Sequence, residues 1–238
     1  MCGRLFQKTP AAEAARIFAT ANPVPNIPPR YNAAPTQDVL AVRFNPETGQ
    51  RSLDLLHWGL IPIWAKDRSI ASRLINARSE GIDKKPSFAD AFRRRRCLVP
   101  ADGFYEWKKD GKHRQPFAVT MRDGGLFAFA GLWERWRGEG GEIVRSFTIV
   151  TTAANDLLSP IHERMPVIVD PADYDRWLGS APADEAELHA LMKPFPAERM
   201  RVYPVDPAVG NVRNDDPHLI EPMAAMAPAG EPAGANPA

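Results

Sequence analysis

The chain has 238 residues, of which 44% are hydrophobic, 9% aromatic and 25% charged, a globular average that excludes collagen-like, wholly disordered and disulfide-scaffold chains. Thirty Lys plus Arg against 29 Asp plus Glu leave a net charge of +1, so affinity for a polyanion has to come from a local patch. No run approaches the ~20 apolar residues of a membrane span, and none follows Met1 as a secretion signal requires.

These absences predict a cytoplasmic protein with no membrane partner. Two cysteines, Cys2 and Cys97, are expected to stay reduced there. With no four-thiolate set and no His-Glu-x-x-His pattern, the sequence predicts no metal. Twenty-four prolines, about twice the usual share, favour many short elements.

In chain order, 10–20 reads as a helix, 39–44 and 52–58 as strands, and 87–95 as a helix. Strands are predicted at 97–99, 103–107, 116–121, 126–133 and 143–151, each short, β-branched or aromatic, and bounded by turn residues. Arg122-Asp123-Gly124-Gly125 reads as a hairpin turn. Helices are predicted over 171–178, with proline at the start, and 184–192, with acidic residues leading. The balance predicts an α+β fold: one domain over 1–222, with a largely antiparallel, barrel-like β-sheet core flanked by a few short helices. From Met223 the sequence is almost only Ala, Pro, Gly, Met and Glu, so 223–238 is expected to be a disordered tail.

Cys2 is the most unusual residue. Removal of Met1 would leave an α-amine and a thiol on one residue. A free α-amine titrates near ~8, far below lysine, so at neutral pH part of it can attack an aldehyde. The neighbouring thiolate can then close on the Schiff-base carbon to give a five-membered thiazolidine that resists hydrolysis. The plain alternative is a small residue at position 2 by chance.

Glu106, between Tyr105 and Trp107 on a short strand, is either a partly desolvated carboxyl with a raised pKa or a surface glutamate on an edge. His162 lies in a proline-bounded loop, a usual place for a catalytic group, where it could equally be a structural hydrogen-bonder. Asn76 and Arg78 align on one face of an extended segment. There they could orient a substrate oxygen and fork a phosphate, or satisfy local backbone groups. Arg4, Arg30, Arg73, Arg78 and Arg164 each adjoin one of these segments, as a phosphate-binding groove requires. The run Arg93 to Arg96 could meet nucleic acid, or, at the end of a predicted helix, be only a solvated face that suits the helix dipole. Trp58 and Trp64 flank Gly59 and Pro62, and could stack on unpaired bases or fill a core. No glycine-rich phosphate loop or Gly-x-Ser-x-Gly elbow occurs, so no nucleotide cofactor is expected.

Seven segments in register, Met1-Cys-Gly-Arg, Arg30-Tyr-Asn-Ala-Ala-Pro, Trp58-Gly-Leu-Ile-Pro-x-Trp-Ala, Asn76-Ala-Arg-x-Glu, Cys97-Leu-Val-Pro-Ala-x-Gly-Phe-Tyr-Glu-Trp, Thr151-Thr-x-Ala-Asn and Ile161-His-x-Arg-Met-Pro, resemble the SRAP family, the SOS response-associated peptidases, across 2–222. The resemblance implies a protein that recognises abasic sites in single-stranded DNA and crosslinks to them through Cys2 as a thiazolidine, after removing its own Met1. By motif, Asn76 would hold the Cys2 amine or the opened sugar, Glu106 would shuttle protons, and His162 would assist ring opening and reversal. Arg4, Arg78 and Arg164 would contact phosphates, and the segment around Trp58 and Trp64 would wedge against bases. A monomer associated with the nucleoid when bound to DNA is expected. Two readings of other classes stand beside this one. The first is a peptidase acting on other proteins, with Cys2 or Cys97 as nucleophile and His162 as base. The second is a non-covalent reader of modified bases using Trp58, Trp64 and the arginines.

Overall fold

The computed structural model describes residues 2–111 and 113–223. Its first half runs β1 (Leu5–Gln7), α1 (Ala11–Ile17), β2 (Arg30–Ala33), β3 (Asp38–Asn45), β4 (Gln50–Trp58), β5 (Asn76–Arg78), α2 (Ala89–Arg94), β6 (Arg96–Ala101) and β7 (Gly103–Asp110). The second half runs β8 (His113–Met121), β9 (Phe127–Arg137), β10 (Ile143–Ala153), β11 (Arg164–Pro166), β12 (Ile168–Val169), α3 (Tyr174–Leu178), α4 (Glu185–Leu191) and β13 (Met200–Pro204).

β10 pairs with β4, β4 with β3, β3 with β6, β6 with β9, and β9 with β10 again, so these strands close into a barrel. Closure leaves these strands no free edge to pair with another chain. β5 and β11 add to β10, and β12 to β9. A second sheet has the order β13-β8-β7-β1-β2. Pairing is antiparallel throughout both sheets except where β10 meets β4 and β5, which agrees with the largely antiparallel barrel read from the sequence.

The period-two alternation of each barrel strand decides which side chains point inward. Leu40, Val42, Leu53, Leu98, Ala130 and Leu132 share one cluster with Phe18, Phe92, Trp177 and Leu188 of the helical segments. Helices can only lie outside a closed ring, so this is the outer layer. Val39, Ala41, Leu56, Cys97, Val99, Phe129, Phe147 and Ile149 form the inner cluster, which continues into Cys2, Leu5, Phe104 and Val119 of the second sheet. Truncating fully buried Phe92, whose ring centroid lies 6.4 Å from that of Trp177, is expected to cost ~3–5 kcal/mol.

The helices span five to seven residues, below the ~12 an isolated helix needs, so packing and caps hold them. In α4 the Asp184 side chain accepts from Glu187 N–H, and the Glu187 carboxylate accepts from Asp184 N–H. The predicted helix 10–20 is shorter, because Ala19 turns to a φ of +51° and Thr20 bridges to Arg51.

One turn differs in kind from its prediction. Residues 122–125 do turn, with Gly124 N–H bonding Met121 O (3.1 Å) and Asp123 Oδ1 taking Gly125 N–H (2.9 Å). Yet β8 belongs to the second sheet and β9 to the barrel, so the turn crosses between sheets and makes no hairpin. Turn residues report local backbone geometry and carry nothing about which strands then pair. Of the predicted tail, only Met223 is described, and its N–H donates to Pro204 O (2.9 Å); 224–238 lie outside the described residues. No helix among the described residues is long and apolar enough to cross a membrane.

Candidate active site at the amino terminus

β1 brings the start of the chain against β7, with Leu5 opposite Phe104 and Phe6 opposite Gly103. The approach is close: a Cβ on Gly103 would stand 2.2 Å from the Phe6 ring, so only glycine fits. Cys2 is fully buried in the inner cluster. On β7, Phe104 faces that cluster while Tyr105 faces the opposite side with Phe6, so alternation returns Glu106 to the Cys2 side.

Glu106 is 4% exposed. Burial raises its carboxyl pKa, while the chain's amino terminus and then His162 act the other way. The Cys2 thiol is pushed far up, first by burial and next by the nearby charge of Glu106. Sequence chemistry anticipates a thiolate at Cys2. Burial works against that thiolate, so forming the nucleophile requires a base within reach.

β5 lies parallel to β10, with Asn76 paired to Ile149 and Arg78 to Thr151. Ala77 is buried in the core beneath while Asn76 and Arg78 share the other face. Asn76 Nδ2 donates to Cys2 O at 2.9 Å, which fixes the residue carrying the thiol. Asn76 Oδ1 is buried with no partner among the described residues, an acceptor left for a donor not yet present.

His162 closes a turn whose N–H bonds Leu158 O (2.9 Å). Its Nδ1 accepts from Arg164 N–H at 3.0 Å. A backbone N–H can only donate, so the neutral ring carries its hydrogen on Nε2. Cys2, Asn76, Glu106 and His162, from four distant stretches of sequence, thus meet through the Asn76–Cys2 hydrogen bond and the Cys2–Glu106 and Glu106–His162 electrostatic contacts.

The arginines and tryptophans divide. Arg78 is exposed and makes no side-chain hydrogen bond among the described residues. Arg164 is not presented in the same way, because Nη1 and Nη2 fork Glu80 (2.7 and 3.0 Å) and Nη2 also reaches Thr151 O (2.6 Å). Arg4 is turned inward, with Nη1 donating to Asn32 Oδ1 and Val209 O (both 2.7 Å) and its guanidinium lying over Trp107. Trp64 is 55% exposed beside exposed Ile63. Trp58 is fully buried, stacked on Phe147, with Nε1 bonded to Ile75 O (3.0 Å). The expectation that both indoles face a base is corrected for Trp58, which is core. Arg30 pairs with Asp215, and Arg73 is exposed.

Arg95 pairs with Asp90 and Glu134, and Arg96 donates to Phe92 O (2.8 Å), capping α2 from within. Cys97 is buried inside the barrel, which removes it as a nucleophile for outside peptides. Sequence reasoning missed Asn32, fully buried, whose Nδ2 donates to Val209, Asn211 and Asn214 carbonyls while its Oδ1 takes Arg4. Its signal was the Arg30-Tyr-Asn-Ala-Ala-Pro segment itself. Asp83, Glu185 and His189 have ligand-type atoms within 4.8 Å of one another, but share no residue with the Cys2 site.

Comparison with known proteins fits this geometry. The SOS response associated peptidase (SRAP) profile matches residues 1–212. Abasic site processing protein YoqW of Bacillus subtilis is 42% identical over 194 residues, covering 81% of this chain and 86% of YoqW. Abasic site processing protein YedK of Escherichia coli is 33% identical over 229 residues, covering 94% of this chain and all of YedK. A crystal structure of a protein from Bacteroides thetaiotaomicron superposes with a TM-score of 0.85 at 26% identity, covering 94% of this chain and all of that one.

Proposed function

Because the chain belongs to the SOS response associated peptidase family, we propose that it processes abasic sites in DNA, and that it does so by joining Cys2 covalently to the lesion in single-stranded DNA. The observation that carries the reading is a fully buried Cys2, one residue from the start of the chain and anchored by Asn76, placed against the buried Glu106 carboxyl, whose pKa burial raises. The names of YoqW and YedK support the lesion.

Maturation comes first. The Cys2 thiol gives its proton to Glu106, and Sγ attacks the Met1 carbonyl, shifting the methionyl group from nitrogen to sulfur. Water hydrolyses that thioester, releasing methionine and leaving both the α-amine and the thiol free. Asn76, bonded to Cys2 O, keeps the residue fixed while its neighbour departs.

The abasic deoxyribose is mostly a closed hemiacetal, and its aldehyde forms only when the ring oxygen receives a proton. His162 Nε2–H is the donor for that oxygen. The Cys2 amine then attacks C1′. Glu106 protonates the carbinolamine hydroxyl as it leaves as water, giving the imine. Sγ closes on the imine carbon, its proton passing by way of Glu106 to the ring nitrogen, so aldehyde and aminothiol become thiazolidine plus one water. A carboxyl with a raised pKa suits both proton directions near neutrality, and fixed proximity of amine and aldehyde supplies much of the acceleration. Arg78 contacts a phosphate and Trp64 stacks on a base, while Arg4 and Arg164 hold the walls.

The test is a denaturing gel of the protein with a single strand carrying one abasic site, beside Cys2→Ala and a form retaining Met1. A shifted band with the mature wild type alone is expected. No shift despite confirmed loss of Met1 would overturn the covalent reading.

A further inference from the structure

A cavity of about 790 Å3 opens at a mouth of the barrel, lined by Arg43, Asp54, Trp133, Arg135 and Arg145, with the β3–β4 turn and its Glu47 as the rim. It is removed from Cys2. On β10, Arg145 stands four residues before Ile149, the partner of Asn76, or ~13 Å along the strand.

Alternation dictates the lining. Val39 and Ala41 of β3 face the barrel interior, as do Phe129 of β9 and Phe147 and Ile149 of β10. Two-residue steps along the same strands carry that face to Arg43, to Trp133 and Arg135, and to Arg145. The interior therefore changes from apolar to arginine as it reaches this mouth. Barrel mouths are common ligand sites, and the volume falls within the ~300–1,000 Å3 of such sites.

Arg43 is already matched. Its Nε and Nη2 donate to Asp54 Oδ2 (3.0 and 2.7 Å), and its guanidinium lies 4.5 Å from the Trp133 ring centroid, which makes a flat floor. Arg135 and Arg145 are not matched. They sit directly opposite each other on β9 and β10, both exposed, with no hydrogen bond or ion pair among the described residues. Like charges in a direct cross-strand pair repel, and an anion held between them removes that cost. A phosphate offers the oxygens that two guanidinium forks require, and the Arg43–Trp133 layer offers a planar surface to a base.

We propose that this mouth is a second anion site, in which Arg135 and Arg145 hold the phosphate of a nucleotide, either free or within a strand. The site does not depend on the chemistry at Cys2, and its failure would leave that chemistry untouched.

Calorimetric titration with deoxyadenosine monophosphate, and separately with a short unmodified single strand, tests it on the wild type, the double variant Arg135→Gln/Arg145→Gln, and Arg145→Lys. Saturable binding is expected in the wild type, about tenfold weaker in the double variant and intermediate in Arg145→Lys, which keeps the charge and loses the fork. The double variant is also expected to be no less heat-stable than the wild type, because its repulsion is gone. Binding of the strand alone assigns the mouth to a flank of bound DNA; binding of the monophosphate alone assigns it to a free nucleotide. If neither probe binds saturably, or the double variant binds both as the wild type does, the inference is overturned.

Discussion

The same burial acts on Cys2 and Glu106, and it gives them complementary roles: a thiol that keeps its proton and a carboxyl that keeps affinity for one. Glu106→Gln preserves shape and removes the proton acceptor, so crosslinking is expected to slow by about 10²–10⁴-fold. Affinity for an unmodified strand, read by fluorescence anisotropy, is expected to stay unchanged; an equal loss of affinity would make Glu106 a binding group and not a proton carrier. A stability effect of defined sign accompanies it. With its folded pKa raised above the ordinary glutamate value by burial, the wild-type carboxyl favours the fold in its protonated form, and that contribution is lost as pH rises through the raised value. Thermal melts should therefore show Glu106→Gln gaining on the wild type as pH is raised from about 4 towards 7, and a constant difference would refute the buried-carboxyl account. Cys2 and Glu106 were legible from local chemistry. The protonation of the thiol was not, since it depends on Phe104, Leu5 and barrel residues far away in sequence.

At the scale of elements, the segment after β4 separates two indoles that look alike in sequence. Gly59, at φ +132°, turns the chain where a Cβ would meet Ala71 O at 2.6 Å. Trp58 is thereby left in the barrel and Trp64 outside. Trp58→Ala is expected to cost ~3–5 kcal/mol of stability. Trp64→Ala should leave thermal stability within ~0.5 kcal/mol while weakening single-strand binding by ~1–3 kcal/mol, one lost stack. Melting curves and anisotropy on the two variants decide this, and normal DNA binding by Trp64→Ala would remove the stacking role. The longer strands were legible because alternation marks them. β1, β2, β5, β11 and β12 have two to four residues, too few for a period to show, yet β1 and β5 place Cys2 and Asn76. The turn at 122–125 shows the related gap, a local signal without a partner strand.

For the whole molecule, a net charge of +1 means that any hold on DNA is local, and the structure narrows the locality further than the sequence could. Arg4, Arg95, Arg96 and Arg164 are all spent on protein partners, as only the closed fold reveals. Among the arginines expected at phosphates, Arg73 and Arg78 remain exposed, and Arg78 lies on the same short strand as Asn76, the anchor of Cys2. Each phosphate contact on a single strand adds about −0.7 to the slope of log K against log salt. Arg78→Ala is therefore expected to make that slope shallower by about 0.7, weakening binding uniformly across sequences. Arg94→Ala, at the exposed end of α2, is expected to leave the slope unchanged. Equal slopes for wild type and Arg78→Ala would move the phosphate contacts elsewhere, and the first place to look would be Arg164, whose release from Glu80 frees a buried fork against the same strand of the barrel.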